Sequence, residues 1–90
     1  MNNSEKLDSI KQLGKELNVR WFNKPITAKK AMDRANTLLN ITEQLIETYE
    51  KEEKTNQEFA DKKVNELVNQ RNLTKMVSQL EELEADTEIA

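Results

Sequence analysis

The chain contains no cysteine and no histidine in 90 residues, and one glycine and one proline. Without cysteine there are no disulfides and no thiolate chemistry, so the fold rests on packing alone and suits a reducing cytosol. Without histidine, the side chain most used for proton transfer near neutral pH and for metal ligation is missing. The single glycine, Gly14, excludes a glycine-rich phosphate loop. Only four aromatics are present, Trp21, Phe22, Tyr49 and Phe59, and mean hydropathy is -0.89. The core must therefore be built from Leu, Ile, Val, Met and Ala. No stretch approaches the roughly 18 apolar residues of a membrane span. The segment Met1–Lys6 lacks the basic and apolar regions of a secretory signal. The expectation is a protein with no membrane association, located in the cytoplasm. Lysine outnumbers arginine 11 to 3 and asparagine occurs ten times. That usage fits the AT-rich genome of a bacterium or its phage, and for a phage product the cytoplasm is the host's.

What remains is a chain with almost nothing to interrupt helix, a third of it charged. It predicts an all-α fold, a small antiparallel bundle of three helices in one domain spanning residues 1–90. Helix 1 is expected over about 4–22, with Ser4 as N-cap and Leu7, Ile10, Gly14, Leu17 and Trp21 as a narrow apolar stripe beside Leu13. Pro25 disfavours helix in the residue before it and ends this element. Thr27 then caps helix 2, over about 28–50. Its stripe runs Ala28, Ala31, Ala35, Leu38, Thr42, Leu45 and Tyr49, widened by Met32, Leu39 and Ile46. The small side chains at its start call for a closely packed neighbour, and helix 1 is the candidate. Residues 50–58 hold no apolar side chain, and Thr55 with Glu58 forms a capping-box pattern that starts helix 3, over about 56–85. Residues 86–90 read as a frayed acidic tail.

Helix 3 carries a contradiction. Ala60, Val64, Leu67 and Val68 share one face. Leu73, Met76, Val77, Leu80 and Leu83 fall nearly opposite at 100° per residue. A straight helix packing one way cannot bury both sets. Either the chain breaks within 69–72, or the last segment serves a different partner. Leu73, Met76, Leu80 and Leu83 form a short coiled-coil-like seam that could close a bundle in cis or bind another chain in trans, but heptads are not sustained through residues 48–72, which disfavours one long coiled coil. A chain this short buries only about 60% of its unfolded surface, so a dimer stands as an open alternative to a monomer.

Catalysis would have to use Asp, Glu, Lys or Tyr. Glu43, Glu47 and Glu50 share a helix face, as do Glu81, Glu84 and Glu88. No aspartate-glycine loop or histidine completes a known metal-ligand set, so these are expected to be solvated faces. Ser4, Ser9 and Ser78 have no histidine to activate them. The expectation is a non-enzymatic protein with no cofactor, no metal and no small-molecule substrate.

Two partner classes follow. The first is a protein-binding module: an adaptor, assembly factor or inhibitor of a larger protein. It would act through an amphipathic C-terminal helix that places Leu73, Met76, Val77, Leu80 and Leu83 in a partner's groove, or against a second copy of itself. Glu81, Glu82 and Glu84 would favour a basic partner surface. The alternative is a nucleic-acid-associated accessory protein. Residues 1–36 carry 8 basic and 4 acidic groups, and residues 37–90 carry 6 and 13. The basic segment 11–36 offers Lys11, Lys15, Arg20, Lys24, Lys29, Lys30 and Arg34 for phosphates, with Trp21 for stacking on a base. The same asymmetry also serves attraction between the two halves of one bundle, and the net charge of -3 weighs against nucleic acid.

Overall fold

The computed structural model describes residues 2–19, 25–52 and 56–89. Helix α1 spans Asn3–Glu16, strand β1 Ile26–Thr27, helix α2 Ala28–Glu52, helix α3 Gln57–Glu81 and strand β2 Glu88–Ile89. The fold is a small all-α bundle in which α2 and α3 form a long antiparallel hairpin and α1 packs on α3 at the end away from the hairpin's turn.

Each helix boundary has a local cause. Asn2, not Ser4, caps α1: its Oδ1 accepts a hydrogen bond from the Glu5 backbone N–H at 2.9 Å. The helix also ends well before Pro25. Asn18 takes a left-handed conformation, φ 56°. The Asn18 N–H donates to the Lys15 carbonyl at 3.1 Å and the Val19 N–H to the Gly14 carbonyl at 3.0 Å. This pair of bonds is a Schellman motif, and asparagine is the non-glycine residue best suited to its left-handed position. The expected continuation of helix 1 to residue 22 is thus overturned, and Trp21, placed in its stripe, lies outside the described residues. Thr27 does cap α2, accepting from the Lys30 N–H at 3.3 Å. Asn56 caps α3, accepting from the Glu58 N–H at 2.9 Å; Thr55 of the expected capping box lies outside the described residues.

Helix α3 does not break within 69–72 but runs continuously to Glu81. Nor do residues 86–89 form a frayed tail. After α3 the chain turns back, and β2 pairs antiparallel with β1, Ile26 opposite Ile89 and Thr27 opposite Glu88. The Thr87 carbonyl accepts from the Ala28 N–H at 2.8 Å and the Ala85 carbonyl from the Lys29 N–H at 3.2 Å. Ile89 is completely buried. A residue with that much apolar area, docked by main-chain bonds, outweighs the entropy that would fray a polar tail.

The core lies at this end. Ile10 and Leu13 of α1, Ile26 of β1, Ala28, Ala31 and Ala35 of α2, Leu73, Met76 and Leu80 of α3, and Leu83 and Ile89 behind it form one buried cluster. Lys6 pairs with Glu82 at 3.4 Å, and Gln79 Nε2 donates to Ser9 Oγ at 2.9 Å, fastening α1 to α3. The other half of the hairpin has only two layers. The radius of gyration, 14.7 Å, exceeds the ~12 Å of a compact chain of this length, because the hairpin projects beyond α1.

Candidate docking site

The five residues expected to dock on a partner are built into the protein's own core. Leu73, Met76, Leu80 and Leu83 are buried, and Val77 is half-buried against them. This corrects the docking expectation: α1 and the returning C-terminal strand cover this face in cis, and it cannot enter a partner's groove without unfolding the bundle.

The other apolar set is the one left without a cover. Val64, Leu67 and Val68 are 59%, 42% and 52% exposed. The cause can be traced residue by residue. Counting back from Leu80 in threes and fours gives Val77, Leu73, Gln70, Glu66, Lys63 and Phe59. All are buried or half-buried, so they form the stripe that faces the rest of the bundle. Its distal end is held at the hairpin tip. The Phe59 ring packs on Tyr49 with centroids 5.7 Å apart and planes at 45°, Lys62 Nζ lies 5.5 Å from the Phe59 centroid, and Lys63 Nζ pairs with Glu50 at 3.7 Å. Once Leu80, Leu73 and Phe59 are all turned inward on one straight helix, Val64 and Val68 have to point out. The middle of the inward stripe is polar: Lys63, Glu66 and Gln70 lie there half-buried.

Between Phe59 and Leu73, α3 is therefore inverted, with Lys63, Glu66 and Gln70 toward the bundle and Val64, Leu67 and Val68 toward solvent. Isolated exposed apolar residues are common, but several adjoining ones on one helix face mark an interaction surface. The remaining large apolar side chain exposed among the described residues is Ile41 on α2.

The basic segment is less coherent. Lys15, Lys29, Lys30 and Arg34 are exposed, and Lys11 is half-buried and engaged within the chain. Arg20, Trp21 and Lys24 lie outside the described residues. An open helix N-terminus beside Lys29 and Lys30 would also favour an anion, and here that is the N-terminus of α2. Its amides at Ala28, Lys29 and Lys30 are taken by the Thr87 and Ala85 carbonyls and by Thr27 Oγ1. The returning acidic segment, with Glu84, Asp86 and Glu88, is thereby held beside the first turn of α2. Part of the charge asymmetry is thus balanced within the molecule.

The glutamates of both acidic sets are exposed. Among the described residues no group of three Asp or Glu is placed to hold a metal ion, and no helix is long and apolar enough to cross a membrane. A cleft of about 350 Å³ lined by Ala28, Lys29, Met32, Leu80, Glu81, Leu83 and Ala85 brings together one lysine and one glutamate and no other ionisable group. No protein-family model matches the chain, and no curated protein sequence or solved structure matches it.

Proposed function

We propose that this protein is a non-enzymatic binding module that docks on another protein chain through the outward face of the distal half of α3. One observation carries the reading: Val64, Leu67 and Val68 stay exposed on a helix whose later apolar residues Leu73, Met76 and Leu80 are buried. Fully burying a Val or Leu side chain is worth about 1.5–3 kcal/mol, and with about half of each still open, covering them is worth about 1 kcal/mol apiece. A partner that covers them gains binding energy without disturbing the core. The helix supplies anchors at i, i+3 and i+4, the spacing by which helices dock on grooves and on other helices. An adaptor or assembly role would suit such a surface.

The test is capture from a cell lysate with and without nuclease, comparing the native chain with the double variant Val64→Asp/Val68→Asp. A protein held by the native chain and lost with the variant, at unchanged helical circular dichroism, is the expected result. Capture that survives the double variant but disappears with nuclease and with Lys29→Glu/Lys30→Glu would reject the α3 surface in favour of nucleic acid.

A further inference from the structure

The exposed face of α3 has an internal order beyond its three apolar residues. Gln57, Asp61, Val64, Val68, Arg71 and Lys75 are spaced 4, 3, 4, 3 and 4 apart, and all six are exposed. This is the heptad spacing of a coiled-coil seam, about 27 Å long at 1.5 Å per residue. It reads acidic and polar at its N-terminal end, apolar in the middle and basic at its C-terminal end. Reversed about the level of Glu66, the seam falls on itself: Val64 meets Val68, Asp61 meets Arg71, and Gln57 meets Lys75. A helix surface with that property is complementary to a second copy of itself running the opposite way, which is the self-matching patch that a two-fold dimer requires.

We infer that the partner of this surface is a second copy of the chain, joined α3 to α3 in an antiparallel seam centred at the level of Glu66. The inference rests on the docking reading above and names its occupant. In the dimer the two valines of each copy form the dry centre, with Leu67 beside them. Two Asp61–Arg71 pairs close the ends and fix register. Among the described residues Arg71 and Lys75 make no ion pair within their own chain. Asp61 accepts only the neighbouring Gln57 Nε2 at 3.3 Å, which leaves oxygen lone pairs for a guanidinium from the other copy. A parallel arrangement would instead set Asp61 against Asp61 and Arg71 against Arg71, so the charges select the antiparallel one. The joined hairpins form a four-helix layer that covers the inverted half of α3 and leaves both cores untouched. A seam of this length falls at the small end of protein interfaces, so the dimer is expected to dissociate in the micromolar range.

Sedimentation equilibrium of the full chain over about 5 to 500 µM tests this. The native chain should move from 10.5 kDa towards twice that mass as concentration rises. Asp61→Arg and Arg71→Asp should each weaken association about tenfold or more, because each puts two like-charge contacts into every dimer. An equimolar mixture of the two variants should associate again. In the mixed dimer the introduced arginine of one chain meets the introduced aspartate of the other, and the native Arg71 of the first meets the native Asp61 of the second. Circular dichroism of each variant alone confirms that it is folded, and the mixture is a control that unfolding cannot imitate. A native chain that stays at monomer mass throughout overturns the inference, as does a mixture no more associated than its components. If the chain is monomeric and yet captures another protein in a manner sensitive to Val64→Asp/Val68→Asp, the docking reading survives and only the second copy is rejected.

Discussion

The two ends of α3 are the same continuous helix in opposite circumstances. From Leu73 onward it is covered by α1, β1 and the returning strand β2, and its apolar residues are inside. Up to residue 70 its inward face runs through Phe59, Lys63, Glu66 and Gln70, and Val64, Leu67 and Val68 are outside. One end shows what a helix does when its own chain supplies the cover. The other shows the surface that remains when it does not. Hydrophobicity alone does not tell them apart, since Val64 and Val68 are as apolar as Val77. What differs is which side of the helix is committed first by the larger residues at its ends.

That contrast can be broken by substitution, and the effects should fall in a definite order. The largest belongs to Leu80→Asp. A buried, unpaired carboxylate costs several kcal/mol against a total stability of about 5–13 kcal/mol for a chain of this length. Loss of most helical signal and of the cooperative transition in urea is expected. A folded Leu80→Asp chain would mean that the proximal face is a free surface after all. Next comes Ile89→Ala, which should cost about 2–4 kcal/mol by the measure of buried isoleucine truncation. A shift in the urea midpoint equivalent to less than about 0.5 kcal/mol, the usual scatter for surface substitutions, would instead fit a tail that does not dock. Asn18→Val should cost about 1–2 kcal/mol, because a β-branched residue resists the left-handed turn that ends α1. Asn18→Gly should be neutral or slightly stabilising in the same measurement. The smallest effect is expected for Val64→Asp/Val68→Asp at concentrations low enough to exclude association, within about 0.5 kcal/mol of the native chain. A fall of several kcal/mol would place those valines in the fold.

Much of this architecture is legible in the residues. Pro25 and Thr27 mark the start of α2, the polar run 50–58 marks the hairpin turn, and the alanines at 28, 31 and 35 mark the close-packed end. The end of α1 was masked by Pro25, the louder signal; the quieter one is Asn18, whose tolerance of positive φ stops the helix earlier. The docking of the C-terminus depended on one residue, Ile89, in an acidic setting, and two-residue strands leave no periodicity to detect. The orientation of α3 is hidden locally, because Ala60, Val64, Leu67 and Val68 make the denser apolar cluster in their half. The decisive clue was long-range: the 3-4 rhythm of Leu80, Val77 and Leu73 passes through polar residues to Phe59, and only the packing of Phe59 on Tyr49 shows that this rhythm, not the valines, faces the bundle. The partner of the exposed face is not encoded in any one residue, and only the reversal symmetry of the exposed seam points to it.

The absence of native cysteine makes one measurement especially direct. Single cysteines are placed at Val64, Val68, Met76 and Leu80, and their reaction with a thiol reagent is followed in the folded, dilute protein. Thiols at 64 and 68 should react nearly as fast as a free thiol, and those at 76 and 80 about a thousandfold or more slower, because they require the core to open. Equal protection at all four sites, or fast reaction at 76 and 80, would contradict the claim that α3 hides one face in its own core and offers the other to a partner.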